Sequence, residues 1–240
     1  MHFKRVLACM IFVLVTQSVC WADDCDDWKK KGLGPDRGIA ACTQAIQSGV
    51  WKGDRQAVNY VNRGAAWDRK GKINKAIADY DKAIELNPRL AVAYNNRGNA
   101  WRRNAEYDKA IADYGKAIKL DPKLAIAYYN RGLVWGRKRQ HDQTIADFNQ
   151  VIKLNPTWAV AYYHRADVWR EKGQWEKAIT DYTKAISLNS ILAMAYSNRA
   201  LCYLKQGKRS LAMSDAKMGA RLAPNSALGR HILKQVNAAR

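Results

Sequence analysis

Arginine and aspartate recur along this chain at a fixed separation. An arginine stands every 34 residues, and an aspartate follows each one sixteen residues later. The pairs are Arg63 with Asp79, Arg97 with Asp113, Arg131 with Asp147, Arg165 with Asp181, and Arg199 with Asp215. A guanidinium and a carboxylate can form two parallel, charge-assisted hydrogen bonds. We therefore predict five structural ion pairs between neighbouring helices, although solvated charges copied by duplication would give the same spacing.

Residues of the kinds that perform catalysis are few and scattered. The histidines outside the first residues are His141, His164 and His231, and they fall in separate parts of the sequence. No cysteine–histidine metal spacing, phosphate-binding glycine loop or nucleophile motif occurs. We therefore predict no enzyme activity, no catalytic residues, no metal site and no cofactor.

The first residues have the pattern of an export signal. Lys4 and Arg5 precede an apolar stretch over 6–15, and Ala22 is a small residue suited to the position before a cleavage site. This pattern predicts a secretory signal peptide over 1–22, cleaved after Ala22, and a periplasmic or secreted protein. A membrane anchor that stays in place is the alternative. No apolar run reaches the roughly 18 residues of a membrane-spanning helix, so no transmembrane segment is predicted.

Export determines how the remaining cysteines are interpreted. Cys25 and Cys42 lie near the mature N-terminus, and in an oxidising compartment they are the natural disulfide pair. The third, Cys202, has apolar neighbours typical of a small buried residue on a helix.

A 34-residue period organises most of the chain. It divides residues 57–226 into five units without a gap: 57–90, 91–124, 125–158, 159–192 and 193–226. Apolar residues recur at helical spacing in each unit, and Asn-Pro or Asp-Pro usually follows the second helical stretch. Each unit is therefore predicted to be a pair of helices, here called the A helix and the B helix of a repeat. Unit positions are counted from the first residue of each unit.

The residues at particular unit positions resemble the tetratricopeptide repeat family. Tyrosine stands at position 4 of every unit, glycine or alanine at position 8, and an aromatic residue at position 11. Alanine at position 20 and proline at position 32 each occur in four of the five units. The resemblance implies an all-α fold, a right-handed α-solenoid of stacked helix-turn-helix repeats, because one helix pair cannot bury its apolar face alone.

The flanking segments are predicted to cap the stack. Residues 23–56 contain an echo of a B helix at 39–46, so they indicate a degenerate capping repeat, held by the Cys25–Cys42 bond. Residues 227–240 place Leu228, Ile232, Leu233 and Val236 on one side of a closing amphipathic helix.

The resemblance also implies where a partner binds. Family members bind peptides or helices along a concave wall built by positions 2, 5, 6, 9, 12 and 13 of the A helices. Asparagine can bond an extended backbone through both donor and acceptor, and tyrosine adds a flat apolar surface. Asparagine that is merely tolerated on an exposed helix face is the alternative. The predicted groove residues are Asn62, Asn95, Asn96, Asn99, Tyr129, Asn130, Tyr163, His164, Asp167 and Asn198. Some members hold a terminal carboxylate with lysines at positions 2 and 5, and here neither position carries a lysine.

Positive charge is concentrated where the A helices end. The formal net charge is +20, and many of the cations stand at positions 12–15. The predicted basic rim comprises Arg69, Arg102, Arg103, Arg137, Lys138 and Arg170. Cations at helix C-termini also complement the helix dipole, so a structural role is equally open.

These features together predict a non-enzymatic scaffold of the bacterial cell envelope that binds a protein or peptide partner, with an acidic partner favoured by the charge. A protein that uses its basic rim on anionic lipid or acidic polysaccharide is the alternative. A homo-oligomer is a third reading that the sequence leaves open. Nucleic acid is not an expected partner, because an exported protein rarely meets it.

Overall fold

The fold consists of paired α-helices. The computed structural model describes Cys25, Trp28 and residues 32–238, apart from the side chain of Leu228. The predicted signal peptide, and most of the first helix predicted for the capping repeat, lie outside the described residues. Within the described part, we number the helices α1 (Pro35–Gln47), α2 (Gly53–Arg69), α3 (Ile73–Leu86), α4 (Ala91–Arg103), α5 (Tyr107–Leu120), α6 (Ala125–Arg137), α7 (His141–Leu154), α8 (Ala159–Glu171), α9 (Trp175–Leu188), α10 (Ala193–Lys205), α11 (Arg209–Leu222) and α12 (Ala227–Ala238).

The chain forms two compact halves. The N-terminal half is 1–122 and the C-terminal half is 123–240. In the N-terminal half, helices α1 to α5 pack in chain order, and in the C-terminal half helices α6 to α12 do the same. The A helices α4, α6, α8 and α10 begin 34 residues apart, whereas α2 begins at Gly53, four residues before the first unit. The described residues contain no strand, and the fold is an all-α solenoid of helical repeats.

Each B helix ends at a residue with extended backbone. Asn87, Asp121 and Asn155 each precede a proline, which disfavours helical backbone in the residue before it. Asn189 has nearly the same conformation (φ −145°, ψ 93°), although Ser190 follows it. The N–H of Asn189 still donates to the Ala185 carbonyl at 2.9 Å. The helix therefore ends at the same unit position with or without proline.

The turn between the A and B helices requires a left-handed residue at position 15. Gly71, Gly173 and Gly207 fill it with φ of 71° to 74°. Ala105 (φ 60°) and Arg139 (φ 56°) adopt this backbone in the other two repeats. A residue with a Cβ is strained in that region, so two of the five turns carry local strain.

Small residues at position 8 let the A and B helices approach closely. A Cβ built on Gly64 would lie 2.7 Å from the Tyr80 ring, and one on Gly98 would lie 2.8 Å from the Tyr114 ring. These two tyrosines are buried, and Tyr80 lies in one core cluster with Ala76 of its own repeat and Ala93 of the next. The tyrosine at position 24 thus occupies the volume that glycine leaves open.

Both ends of the described chain are closed by packing. Cys25 and Cys42 are joined as a disulfide, with their Cα atoms 4.6 Å apart, and both are buried against Ala41 and Ala45. At the other end, Ile232 and Val236 of α12 are buried against α11. No helix in the described part of the chain has both the length and the apolar character needed to cross a bilayer.

Candidate functional site

All five arginine–aspartate pairs form within their own repeats. Arg165 donates from Nε to Asp181 Oδ2 and from Nη2 to Asp181 Oδ1, both at 2.7 Å. Arg97 makes the same two bonds to Asp113 at 2.7 Å. The pairs at Arg63, Arg131 and Arg199 have the same two-bond geometry at 2.7 to 2.9 Å. The prediction of a repeated interaction is therefore correct.

In four of the five pairs, the third guanidinium nitrogen of the arginine reaches the preceding helix pair. Arg97 Nη1 donates to Asp81 at 2.6 Å, and Arg165 Nη1 donates to Asn149 at 2.6 Å. Each guanidinium also lies over the ring of the tyrosine three residues before it, as Arg165 does over Tyr162 at 5.6 Å. One arginine thus joins two B helices and one aromatic ring.

The pairing changes the acid–base properties of its members. The hydrogen bond from Arg63 to Asp79 raises the pKa of the Arg63 guanidinium above its ordinary value. Burial raises the pKa of the Asp147 carboxyl, and the hydrogen bond from Arg131 opposes that shift. All five aspartates are buried. These groups hold the repeats in register and are not available for a ligand.

The predicted groove residues divide into two groups by burial. Four are buried: Asn95, Asn130, Tyr163 and Asn198. Six are partly exposed: Asn62, Asn96, Asn99, Tyr129, His164 and Asp167. The buried four can offer a ligand little surface, which limits the direct contacts available at positions 5 and 6.

A polar network links the groove residues of the last two repeats. Asp167 Oδ1 accepts from the Tyr182 hydroxyl at 2.5 Å and from Asn198 Nδ2 at 2.8 Å. Asn198 Nδ2 also lies 3.4 Å from the Tyr163 hydroxyl, and Arg170 Nε lies 3.3 Å from that of Tyr182. The network places α8 and α10 side by side in register.

In two repeats the residue at position 9 supports the tyrosine at position 24, a role that was not predicted from the sequence. Asn99 Oδ1 accepts from the Tyr114 hydroxyl at 2.8 Å, as Asp167 does from Tyr182. Burial raises the pKa of Tyr114 to about 12, so its hydroxyl stays protonated and donates. The sequence carries only part of this signal, because Phe148 lacks a hydroxyl and its repeat has Leu133 at position 9, whereas Tyr80 has a hydroxyl and its repeat has Ala65 there.

Aromatic rings cluster between the third and fourth repeats. Tyr129 stacks on Trp158 with ring centroids 4.9 Å apart, and His164 stacks on Phe148 at 5.7 Å. Burial lowers the pKa of His164 below its ordinary value. The imidazole is therefore neutral at pH 7 and behaves as part of an aromatic surface.

The predicted basic rim is partly engaged within the protein. Arg103 donates to the Asp68 carbonyl at 2.6 Å and to its carboxylate at 2.8 Å. Arg69 lies over the Trp28 ring, and Arg170 contacts the network around Tyr182. Arg102 is partly buried, whereas Arg137 and Lys138 are exposed. Several rim cations therefore contact neighbouring helices, and exposed rim cations occur in both halves, with Arg69 and Arg103 in the N-terminal half and Arg137 and Lys138 in the C-terminal half.

Reactive groups in the described residues are isolated. No group of three metal-binding side chains occurs there. Cys202 is buried, and burial raises its pKa to about 12, so the thiolate is not populated at neutral pH. The arrangement offers polar and aromatic surface for binding.

Comparison with known proteins agrees with the repeat architecture. The family pattern described as TPR repeat matches residues 69–104, 105–138 and 166–207. A second pattern, described as tetratricopeptide repeat, matches 125–157, and together the two cover more than half of the chain. No curated protein resembles the sequence closely enough to count as a match.

Several solved structures are similar. YrrB, described as "a TPR protein with an unusual peptide-binding site", is 22% identical with a TM-score of 0.68, covering 82% of this chain and 99% of that one. MamA is 27% identical with a TM-score of 0.64 over 71% of this chain and 93% of that one. PilF of Pseudomonas aeruginosa is 17% identical with a TM-score of 0.78 over 91% of this chain and 97% of that one. On the family patterns and the repeat geometry, the chain belongs to the tetratricopeptide repeat family.

Proposed function

We propose that the protein is a non-enzymatic scaffold that binds a protein or peptide partner on the inner-wall positions of its A helices. The observation that carries this proposal is the side-by-side register of α8 and α10, held by the bonds from Asn198 to Asp167 and Tyr163. A binding face that continues from one repeat to the next suits an extended partner. The unusual peptide-binding site of YrrB is a property of that protein and supports the proposal by analogy of fold.

Site-specific photocrosslinking tests this proposal. A photoreactive residue replaces partly exposed Tyr129 on α6, and in a matched variant it replaces exposed Lys184 on the outer B helix α9. We expect a crosslinked partner from the Tyr129 position and none from the Lys184 position. Crosslinks of equal yield at both positions would contradict an inner-wall site.

The cell envelope is the proposed location, because residues 1–22 have the composition of a secretory signal. We expect the mature protein to begin at Asp23 and to fractionate with the periplasm or the medium. N-terminal sequencing of the purified native protein measures this directly. A mature protein that retains Met1 and stays in the cytoplasm would contradict it.

Binding of anionic lipid or acidic polysaccharide is the second candidate. The net charge of +20 and the exposed Arg137 and Lys138 favour it. Flotation with vesicles of phosphatidylglycerol, compared with vesicles of phosphatidylcholine, tests the lipid arm. Binding to the anionic vesicles that is lost at high salt would support this candidate, and equal flotation with both would contradict it.

A further inference from the structure

Four of the five A helices carry an apolar residue at position 2 and a cation at position 13. The pairs are Val58 with Arg69, Val92 with Arg103, Ile126 with Arg137, and Met194 with Lys205. Eleven residues make just over three turns of an α-helix, so both residues of a pair share one helix face about 16 Å apart. Each of these faces therefore has an apolar end and a positive end.

In the C-terminal half, both ends of the face are exposed and the cation is not engaged in an ion pair within the described residues. Ile126 is 38% exposed and Met194 is 49% exposed, so both apolar side chains can be contacted by a partner. Arg137 and Lys205 are also exposed, and within the described residues no ion pair engages either one. In the N-terminal half, Val92 is likewise 40% exposed, but Arg103 is bonded to Asp68 and Arg69 lies over the Trp28 ring. The available surface is therefore formed by α6 and α10.

The helix between them has the opposite charge at its centre and end. On α8, Asp167 stands at position 9 and Glu171 at position 13. At position 13, α6 has Arg137 and α10 has Lys205 instead. Asp167 is fixed by the hydroxyl of Tyr182 and the amide of Asn198. A carboxylate of a partner would be repelled there and attracted at the ends of α6 and α10.

We propose, on the basis of the proposed function, that the partner is an acidic peptide segment that lies along an A helix of the C-terminal half. On α6, the apolar side chain of the peptide contacts Ile126 and its carboxylate pairs with Arg137. On α10, the corresponding contacts are with Met194 and Lys205. An extended chain advances about 3.3 Å per residue, so about five residues span the 16 Å between the two contacts. The segment therefore carries an apolar residue and an acidic residue about five positions apart.

Selection from a phage-displayed library of random 12-residue peptides tests the spacing. We expect wild-type protein to enrich peptides with an apolar residue and Asp or Glu four to six positions apart. The double variant Arg137→Glu with Lys205→Glu should instead enrich peptides that carry Lys or Arg in place of the Asp or Glu. Lys153→Glu with Lys217→Glu makes the same change of net charge at exposed positions on α7 and α11, and it should leave the pattern unaltered.

Affinity measurements on one enriched synthetic peptide complete the test. Ile126→Ser with Met194→Ser should weaken binding about tenfold, whereas Leu211→Ser, at another exposed apolar residue (49%), should not change it. The peptide is used with an amidated C-terminus, so that binding reports the acidic side chain and not the terminal carboxylate.

Two results would overturn the inference and are distinguishable. Enriched peptides without this spacing, or a pattern unchanged by Arg137→Glu with Lys205→Glu, would refute the placement and leave a peptide-binding scaffold in place. No enrichment above a helical protein of equal charge would count against the inference and the proposed function together.

Discussion

Arg165 and Asp181 are joined by two hydrogen bonds of 2.7 Å, between the A and B helices of one repeat. The arginine side chain is 19% exposed and the aspartate side chain 7%. Position 7, which is usually leucine in this family, thus carries a charge whose partner lies sixteen residues further on. The two directional hydrogen bonds, in place of the apolar contact that leucine would make, fix the relative position of the two helices. A third bond, from Arg165 to Asn149, links this pair to the preceding repeat.

Removal of one member of this pair should be costly. Asp181→Asn leaves the half-buried guanidinium of Arg165 without its counter-charge, and we expect a loss of about 2–3 kcal/mol in the free energy of unfolding. Guanidinium chloride denaturation measures the loss.

A second variant separates the loss of the pair from the cost of a stranded charge. Arg165→Leu combined with Asp181→Asn removes the charge as well and restores the residue typical of the family. This double variant should recover most of the stability. A single Asp181→Asn variant as stable as the parent would show that the pair contributes nothing.

The strained turns offer a prediction of opposite sign. Ala105→Gly should raise the free energy of unfolding by about 1 kcal/mol, because φ of 60° is favourable only for glycine. Arg139→Gly should act in the same direction. Thermal denaturation by circular dichroism measures both changes.

The control for this prediction is the same substitution within a helix. Ala112 is an exposed residue in the interior of α5, and Ala112→Gly should lower stability by about 1 kcal/mol. Gly173→Ala should also be destabilising, since it creates at the fourth turn the strain present at Ala105. If Ala105→Gly behaves like Ala112→Gly, the left-handed backbone at residue 105 is wrong.

The N-terminal cap should depend on its disulfide. The Cys25–Cys42 bond closes a loop of 17 residues, for which the chain-entropy model gives a stabilisation of about 3 kcal/mol. Cys42→Ala should lose about that amount, and reductant should destabilise wild-type protein but not the variant.

Peptide mapping provides an independent test of the pairing. Non-reduced digests should yield one linked peptide pair containing Cys25 and Cys42, with Cys202 unmodified by a thiol reagent until the protein unfolds. A linkage that involves Cys202 would contradict the structure, in which that thiol is buried.

The sequence allowed the repeat architecture to be predicted because each repeat buries the same positions. The period of 34, the tyrosine at position 4 and the arginine–aspartate pairs all follow from a geometry that recurs five times. The backbone of two turn residues could not be predicted in the same way. Ala105 and Arg139 adopt the glycine backbone because the surrounding helices impose it, and no local residue signals this.

The burial of some predicted groove residues could not be predicted from the sequence for a related reason. Asn130 and Asn198 stand at positions that the family resemblance assigns to the inner wall, yet both are buried. Their burial depends on the neighbouring side chains, such as Asp167 and Tyr163 around Asn198, and not on the position alone. Whether the predicted groove residues bind a partner stays a prediction, which the crosslinking and selection experiments address.

The partly buried imidazole of His164 gives a prediction about pH. Burial is the main cause that lowers its pKa, and the negative charge of Asp167 partly opposes the shift. The aromatic rings of Tyr129, Phe148 and Tyr163 surround it. Because the folded-state pKa lies below that of the unfolded chain, the unfolded state binds the proton more readily.

Stability should therefore fall as the pH is lowered from 7 through the folded-state pKa of His164. The slope from this one group cannot exceed about 1.4 kcal/mol per pH unit. His164→Asn introduces the residue that the other four repeats carry at position 6, and it should remove this part of the pH dependence while the contribution of other groups stays. Denaturation curves of both proteins between pH 5 and 8 measure the difference. Parallel stability profiles for wild type and His164→Asn would show that the imidazole has the same pKa in the folded and unfolded chains.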